Sequence, residues 1–170
     1  FPATFMLCAS MNPCPCGNYG SADKVCTCTP AAIRKYRSRI SGPLLDRIDI
    51  QVEVDSVKYD DLAAPKEEEP SAAVRARVEK ARGLQRERFA GEKAIRTNAD
   101  MSERELRRFC PLSRECENIL RASFESLHLS ARARSRIIKV ARTIADLAGE
   151  EKIRPEHLLE AVSYRKYDND

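Results

Sequence analysis

Two hydrophobic patterns divide the chain. In the first 60 residues the apolar positions form short runs: FPATFMLCAS, at 1–10, is largely apolar, and IDIQVEV, at 48–54, alternates apolar and polar residues. The first run predicts a buried strand, and the second, with its period of two, predicts a half-buried or edge strand. Beyond residue 70 the apolar residues recur every three or four positions, which is the period of an amphipathic helix.

Local signals mark where the predicted helices begin and end. Ser102 with Glu105 three residues later is the capping-box pattern, Pro155 suits the first turn of a helix, and Gly149 favours a stop. Together with the periodicity, these signals predict helices over 71–90, from Ser102, over 112–127, over 130–148 and from about 154. About 95 residues of helix with short connections can bury a core of their own as a small bundle.

A change in composition separates the two halves. Residues 61–71, DLAAPKEEEPS, hold an acidic run between two prolines, which is typical of a linker. We therefore expect residues 1–60 to contribute two strands, a loop and a helix to an α/β core, residues 61–70 to be the linker, and residues 71–170 to form an all-helical domain. The predicted fold class is α+β, mainly α.

Charge and hydropathy narrow the class of protein without naming a partner. The chain has 30 basic and 26 acidic residues, a net charge of +4, which excludes a strongly basic tail but allows local basic faces. No run of 18 apolar residues occurs, and the mean hydropathy is -0.50. These values predict neither a membrane span nor a signal peptide, so we expect a cytoplasmic protein with no membrane partner.

Four of the seven cysteines lie close together, at Cys14, Cys16, Cys26 and Cys28. Two C-x-C pairs at the ends of a short loop could bind Zn²⁺ tetrahedrally and close a structural site. In an extended C-x-C segment the side chains point to opposite faces, so each pair needs a turn to reach one ion. Reduced thiols or a disulfide are the alternatives. The other cysteines, Cys8, Cys110 and Cys116, are predicted to be small buried apolar groups.

Two polar residues adjoin the predicted strands. Asn12 follows the first strand at its carboxyl end, where open α/β sheets bind ligands, and its amide could orient a water or a phosphate oxygen; a turn before proline is the alternative. Arg47 begins the second strand. It could be an arginine finger that stabilises charge on a transferring phosphoryl group of a neighbouring subunit, or a surface charge paired with Asp46 and Asp49.

The helix predicted over 130–148 starts with a cluster of basic residues. Ser130 is a suitable N-cap, and Arg132, Arg134 and Arg136 lie in the first two turns, where basic side chains oppose the helix dipole. A phosphate bound at that helix N-terminus would reverse the effect. Without a ligand, a solvated basic face is the alternative.

Three sequence motifs in the chain resemble those of a known family, and they occur in the same order and with plausible spacing. They are SMNPCPCGNYG, RKYRSRISGPLLDRIDI and LSARARSRIIKVARTIADL. They resemble the C-terminal portion of the magnesium-chelatase-like AAA+ ATPases of the bacterial ComM/YifB type, and the resemblance covers almost the whole chain. It implies that residues 1–60 end an AAA+ nucleotide-binding core, with the Cys-rich loop at 12–30. Residues 71–170 would be the helical lid.

The resemblance also implies roles for single residues. Asn12 would be the sensor-1 residue that positions the attacking water, and Arg47 would be the arginine finger that acts in trans. Arg132 would be the sensor-2 residue that contacts the γ-phosphate of Mg²⁺-bound ATP, although Arg134 and Arg136 lie near enough to leave the choice open. The four clustered cysteines match a Cys-rich insertion of the family.

The function implied by the resemblance is that of a hexameric ring that couples ATP hydrolysis to DNA remodelling, as a branch-migration helicase. No G-x-x-x-x-G-K-[ST] loop and no Walker B pair occurs in the 170 residues. The chain alone is therefore expected neither to bind Mg-ATP tightly nor to hydrolyse it. Two alternatives remain: an ATPase subunit of a metal chelatase that inserts Mg²⁺ into a porphyrin, and a non-enzymatic zinc-dependent nucleic-acid-binding module.

Overall fold

The computed structural model describes residues 5–54, 69–127 and 129–165, and within these ranges the chain is mainly helical. The helices are α1 (Pro30–Arg37), α2 (Gly42–Leu45), α3 (Ser71–Arg88), α4 (Glu103–Phe109), α5 (Arg114–Leu127), α6 (Ala131–Ala148) and α7 (Pro155–Ser163). A 3-10 turn, Asn98–Asp100, precedes α4. In these ranges no helix combines the length and the apolar character that crossing a membrane requires.

Helix α6 is the centre of the helical region. It packs against α3, α4, α7 and the 3-10 turn, and α5 packs against α7. The face that α6 buries includes residues spaced about one turn apart: Ala133, Ile137, Ala141 and Ala145. Leu106 of α4, Leu120 of α5 and Leu158 of α7 join the same core. The period of three to four residues in the sequence therefore becomes one apolar stripe that three neighbouring helices cover.

The predicted helix ends are confirmed to within a few residues. Ser102 Oγ accepts a hydrogen bond from the Arg104 N–H at 3.2 Å, and the Glu105 carboxylate accepts one from the Ser102 N–H at 2.8 Å, completing the capping box. Gly149 ends α6 with φ of 75°, a left-handed conformation that glycine adopts without strain. Pro155 occupies the first turn of α7.

Neither predicted strand forms in the described residues. Residues 5–10 and 48–54 have no β-ladder, and their apolar side chains include Met6, which is 93% exposed, and Val54, which is 88% exposed. A strand needs a second strand to pair its backbone N–H and C=O groups, and the described residues offer neither segment such a partner. The mainly helical part of the predicted fold class is confirmed, whereas the two-strand α/β core is not. Residues 1–4 of the first run lie outside the described ranges.

Burial varies along α3 and among the cysteines outside the cluster. Val74 and Val78 of α3 are exposed, because the neighbouring helices cover only the later turns of α3, where Ala81 and Gln85 are buried. Cys8 is exposed, so its predicted burial is wrong. The other two cysteines outside the cluster, Cys110 and Cys116, are buried as predicted. Most of the predicted linker at 61–70 lies outside the described residues.

Candidate functional site

The four clustered cysteines converge on one point. Their Sγ atoms all lie within 4.8 Å of one another, and three of the separations are short: 3.4 Å for Cys14–Cys16, 3.6 Å for Cys16–Cys26 and 3.7 Å for Cys14–Cys26. A tetrahedral zinc with Zn–S bonds of about 2.3 Å requires sulfurs about 3.8 Å apart. None of the four thiols forms a disulfide. The cluster, which includes Cys28, is therefore compatible with zinc.

A turn brings the first pair of cysteines to the same side of the backbone. The Gly17 N–H donates to the Cys14 carbonyl at 3.0 Å, which closes a β-turn over residues 14–17. Gly17 has a φ of 81°, in the left-handed region that favours glycine. The turn removes the difficulty of an extended C-x-C segment, in which the two side chains would diverge.

Backbone N–H groups favour the charged form of one thiol. The N–H groups of Asn18 and Thr27 donate to Cys16 and, with the Cys14 thiol, lower the pKa of Cys16 to about 5. Burial raises the pKa of Cys28 to about 12. Once one thiol of the cluster is charged, electrostatic repulsion opposes the loss of a proton from its neighbours. A divalent cation that accepts thiolates would offset that repulsion.

Arg37 fastens α1 to the cysteine loop. Its Nε donates to the Pro13 carbonyl at 3.4 Å, and its guanidinium lies 4.9 Å from the centroid of the Tyr19 ring. Thr29, the residue after the last clustered cysteine, caps α1 by accepting a hydrogen bond from the Ala32 N–H at 3.2 Å. Because α1 is held at both ends to the loop, the two form one structural unit.

The predicted nucleotide contacts lie in separate elements. Asn12 is exposed, and its side chain lies 3.9 Å from the position that a Cβ on Gly17 would occupy. Arg47 is exposed after α2, and its Nη1 donates to the Pro43 carbonyl at 2.7 Å. Arg132 is exposed in the first turn of α6. No hydrogen bond or ion pair between described residues joins these three side chains to one another.

Ion pairs distinguish the arginines at the start of α6. Arg134 lies 3.1 Å from the carboxylate of Glu117, and Arg136 pairs with the carboxylate of Asp49. Arg132 makes no ion pair within the part of the chain that the structure describes. Of the three arginines, Arg132 is therefore the exposed one that has no carboxylate partner among the described residues.

Residues 46–51, here named the Arg47 loop, lie against the start of α6 and the end of α7, a packing that the sequence did not predict. The contacts are hydrogen bonds from Arg165 to Asp46 and Ile48, from Arg136 to Arg47 and Asp49, and from Gln51 to Tyr164. The alternation of charged residues in LLDRIDI was the available signal, but it indicated a strand equally well.

A buried ion network inside the helical region was also missed. Asp146 is fully buried and accepts hydrogen bonds from Arg88 at 2.9 Å, Asn98 at 2.8 Å and Arg142 at 3.1 Å. Burial tends to raise the pKa of Asp146, but the hydrogen bonds from Arg88 and Asn98 outweigh it and hold the pKa below its usual value. The signal in the sequence was that Arg142 and Asp146, one turn apart, follow the buried alanines of α6.

Comparison with known proteins places the chain in a family. Residues 68–165 match the family described as magnesium chelatase, subunit ChlI C-terminal, and residues 1–62 match magnesium chelatase, subunit ChlI. The competence protein ComM of Haemophilus influenzae is 42% identical over 167 residues, which is 97% of this chain and 31% of that protein. The protein YifB of Escherichia coli is 41% identical over 170 residues, which is 99% of this chain and 32% of that protein.

The two relatives are similar to this chain over almost all of its length, whereas the chain spans about a third of theirs. The similarity includes both the cysteine loop and the helical region, since one family match covers each. The chain therefore belongs to the magnesium-chelatase-like proteins of the ComM and YifB type.

Proposed function

We propose that the chain is the C-terminal part of an AAA+ ATPase that forms a hexameric ring and couples ATP hydrolysis to DNA remodelling, as a branch-migration helicase does. In this proposal residues 1–60 end the nucleotide-binding core and residues 71–170 form the lid. The observation that carries it is the family membership, together with the exposure of Arg47 and Arg132 in the motifs where the family predicts phosphate contacts.

Arg132 is the sensor-2 residue in this proposal. A guanidinium that contacts a γ-phosphate must be accessible and must not be committed to an acid of its own chain. Arg134 and Arg136 each have a carboxylate partner, whereas Arg132 has none among the described residues. Exposed pairs of this kind are weak, so they favour Arg132 without preventing its neighbours from moving.

Arg47 is the arginine finger, supplied to the nucleotide of the adjacent subunit. Its guanidinium is exposed and bound to the Pro43 carbonyl of its own α2, so it must release that hydrogen bond to reach outward. The Mg-ATP of the ring supplies the phosphoryl group that is transferred. Arg47 stabilises the negative charge that develops during the transfer.

Asn12 is the sensor-1 residue, and its neutral amide orients the attacking water. Such an amide can donate and accept a hydrogen bond without adding charge. The side chain of Asn12 is exposed and lies beside the turn of the cysteine loop. Zinc held by Cys14, Cys16, Cys26 and Cys28 would supply a structural crosslink to that loop, since a site of four thiolates is of the closed, structural kind.

The DNA part of the proposal is supported by the resemblance to the ComM/YifB type, to which the competence protein ComM belongs. A motor that follows the phosphate backbone binds without sequence preference and weakens as salt rises. A cytoplasmic location belongs to the proposal as well, because ATP and DNA meet there in bacteria.

The test begins with the coding region upstream of residue 1, where we expect a G-x-x-x-x-G-K-[ST] loop and a Walker B acid within roughly 100–200 residues. The full-length protein should then hydrolyse ATP faster when DNA is added. Arg47→Ala should lower kcat by about 10³-fold or more while KM changes little, because the contact forms mainly in the transition state. Arg108→Ala, which removes an exposed arginine of α4, is the control. Unchanged turnover in Arg47→Ala would contradict the assignment.

A metal-chelatase ATPase subunit is the second candidate, because the matching families carry the chelatase description. It predicts co-purification with a porphyrin-binding partner and a rate of ATP hydrolysis that does not change when DNA is added. The same ATPase assay, with and without DNA, separates the two.

A zinc-dependent nucleic-acid-binding module is the third candidate, favoured by the convergence of the four cysteines. It predicts that the 170-residue chain alone binds DNA tightly and loses that binding when a chelator removes the metal. The motor proposal predicts weak binding by this chain with or without the chelator, until the ring assembles.

A further inference from the structure

We propose that Arg136 and Arg165 are positioning residues that hold the Arg47 loop on the helical region, so that a movement of α6 is transmitted to Arg47. The inference rests on the proposed function, in which Arg47 serves the nucleotide of the neighbouring subunit and Arg132 contacts the nucleotide of its own. It adds a physical link between those two nucleotide sites.

Arg136 binds the loop next to the finger itself. Its Nη1 donates to the carbonyl oxygen of Arg47 at 2.6 Å and also contacts the carboxylate of Asp49. The bond to the main-chain carbonyl matters most, because it fixes the backbone from which the Arg47 side chain projects while leaving that side chain exposed.

Arg165 holds the other side of the loop from beyond the end of α7. It is 1% exposed, and it donates to the Ile48 carbonyl and to the Asp46 carboxylate at 3.2 Å. A buried arginine loses its hydration, so it must be satisfied by the acceptors around it. The acceptors named here come from the Arg47 loop, which makes the loop part of the environment that stabilises the charge.

The main chain adds a further bond on the same face. The Gln51 N–H donates to the Tyr164 carbonyl at 3.1 Å, at the point where α7 has just ended. Contacts therefore reach the loop near its start, at its middle and at its end. A segment held at three points on a rigid support moves with that support.

The geometry of α6 couples the two arginines that it carries, Arg132 and Arg136. Arg132 and Arg136 lie one helical turn apart, about 6 Å along the axis, on the same helix. A shift of α6 that brings Arg132 towards or away from a phosphate therefore shifts Arg136 and the carbonyl of Arg47 with it. The occupancy of one nucleotide site is thereby communicated to the finger that serves the next.

Amide hydrogen exchange on the 170-residue chain tests the physical link. In Arg136→Ala, the amides of the Arg47 loop, above all that of Gln51, should exchange about tenfold faster, while the interior of α6 keeps its protection. Arg136→Lys, which retains a cation with a single donor nitrogen, should recover part of the protection. Arg108→Ala removes a comparable arginine–carboxylate pair from α4 and should leave the loop unchanged. Arg165→Ala should have a larger effect. Because removal of a buried arginine also destabilises the fold, Arg136→Ala is the decisive variant.

Steady-state ATP hydrolysis by the full-length protein tests the positioning role. Arg136→Ala should lower kcat by about 10- to 100-fold with little change in KM, because a misplacement of the finger by about 1 Å costs the transition state more than the ground state. Arg136→Lys should recover part of kcat, a rescue that loss of folding would not produce.

The outcomes separate the inference from the proposed function. Unchanged amide exchange in Arg136→Ala would overturn the physical link. Faster exchange with an unchanged kcat would overturn the positioning role. In both cases, ATP hydrolysis by the unmodified protein upholds the proposed function. Absence of hydrolysis in the unmodified full-length protein would overturn the proposed function and the inference together.

Discussion

The two described parts of this chain are ordered by different forces. Residues 69–165 bury a continuous apolar core around α6, with an ion network at one end of it. In residues 5–54 only Cys14 is buried, and outside the Arg47 loop the order comes from a turn, a helix cap, Arg37 and the convergence of four thiols. Burial of apolar surface stabilises the helical region without any ligand, whereas the N-terminal region depends on links between specific atoms.

Removal of the metal should have the largest effect, and it should be confined to residues 5–54. Cys14→Ala combined with Cys16→Ala removes two of the four sulfurs, so the loop should lose bound zinc and its ordered shape. Zinc content and backbone amide exchange measure both results. Cys8→Ala, an exposed cysteine outside the cluster, should retain the metal. Full stability with no loss of metal would contradict the metal site, and a variant that lacks zinc but keeps a fully ordered loop would contradict its structural role.

Asp146→Ala should have the next largest effect, and it should be confined to the helical region. It leaves Arg88 and Arg142 without their shared carboxylate, and the breaking of a buried ion pair typically costs about 3–5 kcal/mol. Denaturant unfolding measures the loss. Glu117→Ala removes the exposed partner of Arg134 and should cost less than about 1 kcal/mol. If the two variants cost the same, the network does not stabilise the fold.

The contrast between the regions also explains what the sequence could predict. The helices from α3 onward follow from local patterns: the capping box at Ser102, the stop at Gly149, Pro155 and the apolar period. The convergence of the four cysteines could be predicted, because two chelating pairs on one short loop are never far apart in space. Whether the predicted strands form could not be decided from the sequence. A strand needs a second strand to pair with, and the alternation in residues 48–54 does not identify one. The ion network was missed for a related reason: two of the three partners of Asp146, Asn98 and Arg88, are 48 and 58 residues away.

Acid should weaken the helical region in a way that depends on Asp146. The pKa of Asp146 is lower in the folded chain than its usual value of 3.8, so its charged form stabilises the fold above that value. This contribution is lost as the pH falls below about 4 and through the lower pKa of the folded state. Asp100 and Glu105 also have lowered pKa values and titrate in the same direction.

Asp146→Asn isolates the share of Asp146 in that loss. The free energy of unfolding of the unmodified chain should fall more steeply with acid than that of Asp146→Asn, measured by denaturant titration at a series of pH values. Since Asp100 and Glu105 remain in both proteins, the difference in slope belongs to Asp146. Equal slopes would mean that the pKa of Asp146 is not lowered by folding.

The smallest expected effect concerns the place where the two regions meet. Ser130 Oγ accepts a hydrogen bond from the Ala133 N–H at 3.3 Å, capping α6, and donates to the Asp46 carboxylate at 3.0 Å. Ser130→Ala should therefore cost about 1 kcal/mol through the lost cap and also speed amide exchange in the Arg47 loop. Ser102→Ala removes a cap whose partners all lie within α4 and should cost a similar amount without loosening that loop. Because only the first serine bonds to both regions, equal exchange of the Arg47-loop amides in the two variants would show that the hydrogen bond from Ser130 to Asp46 does not help to order that loop, and that its order comes from the contacts of Arg136, Arg165 and Gln51 alone.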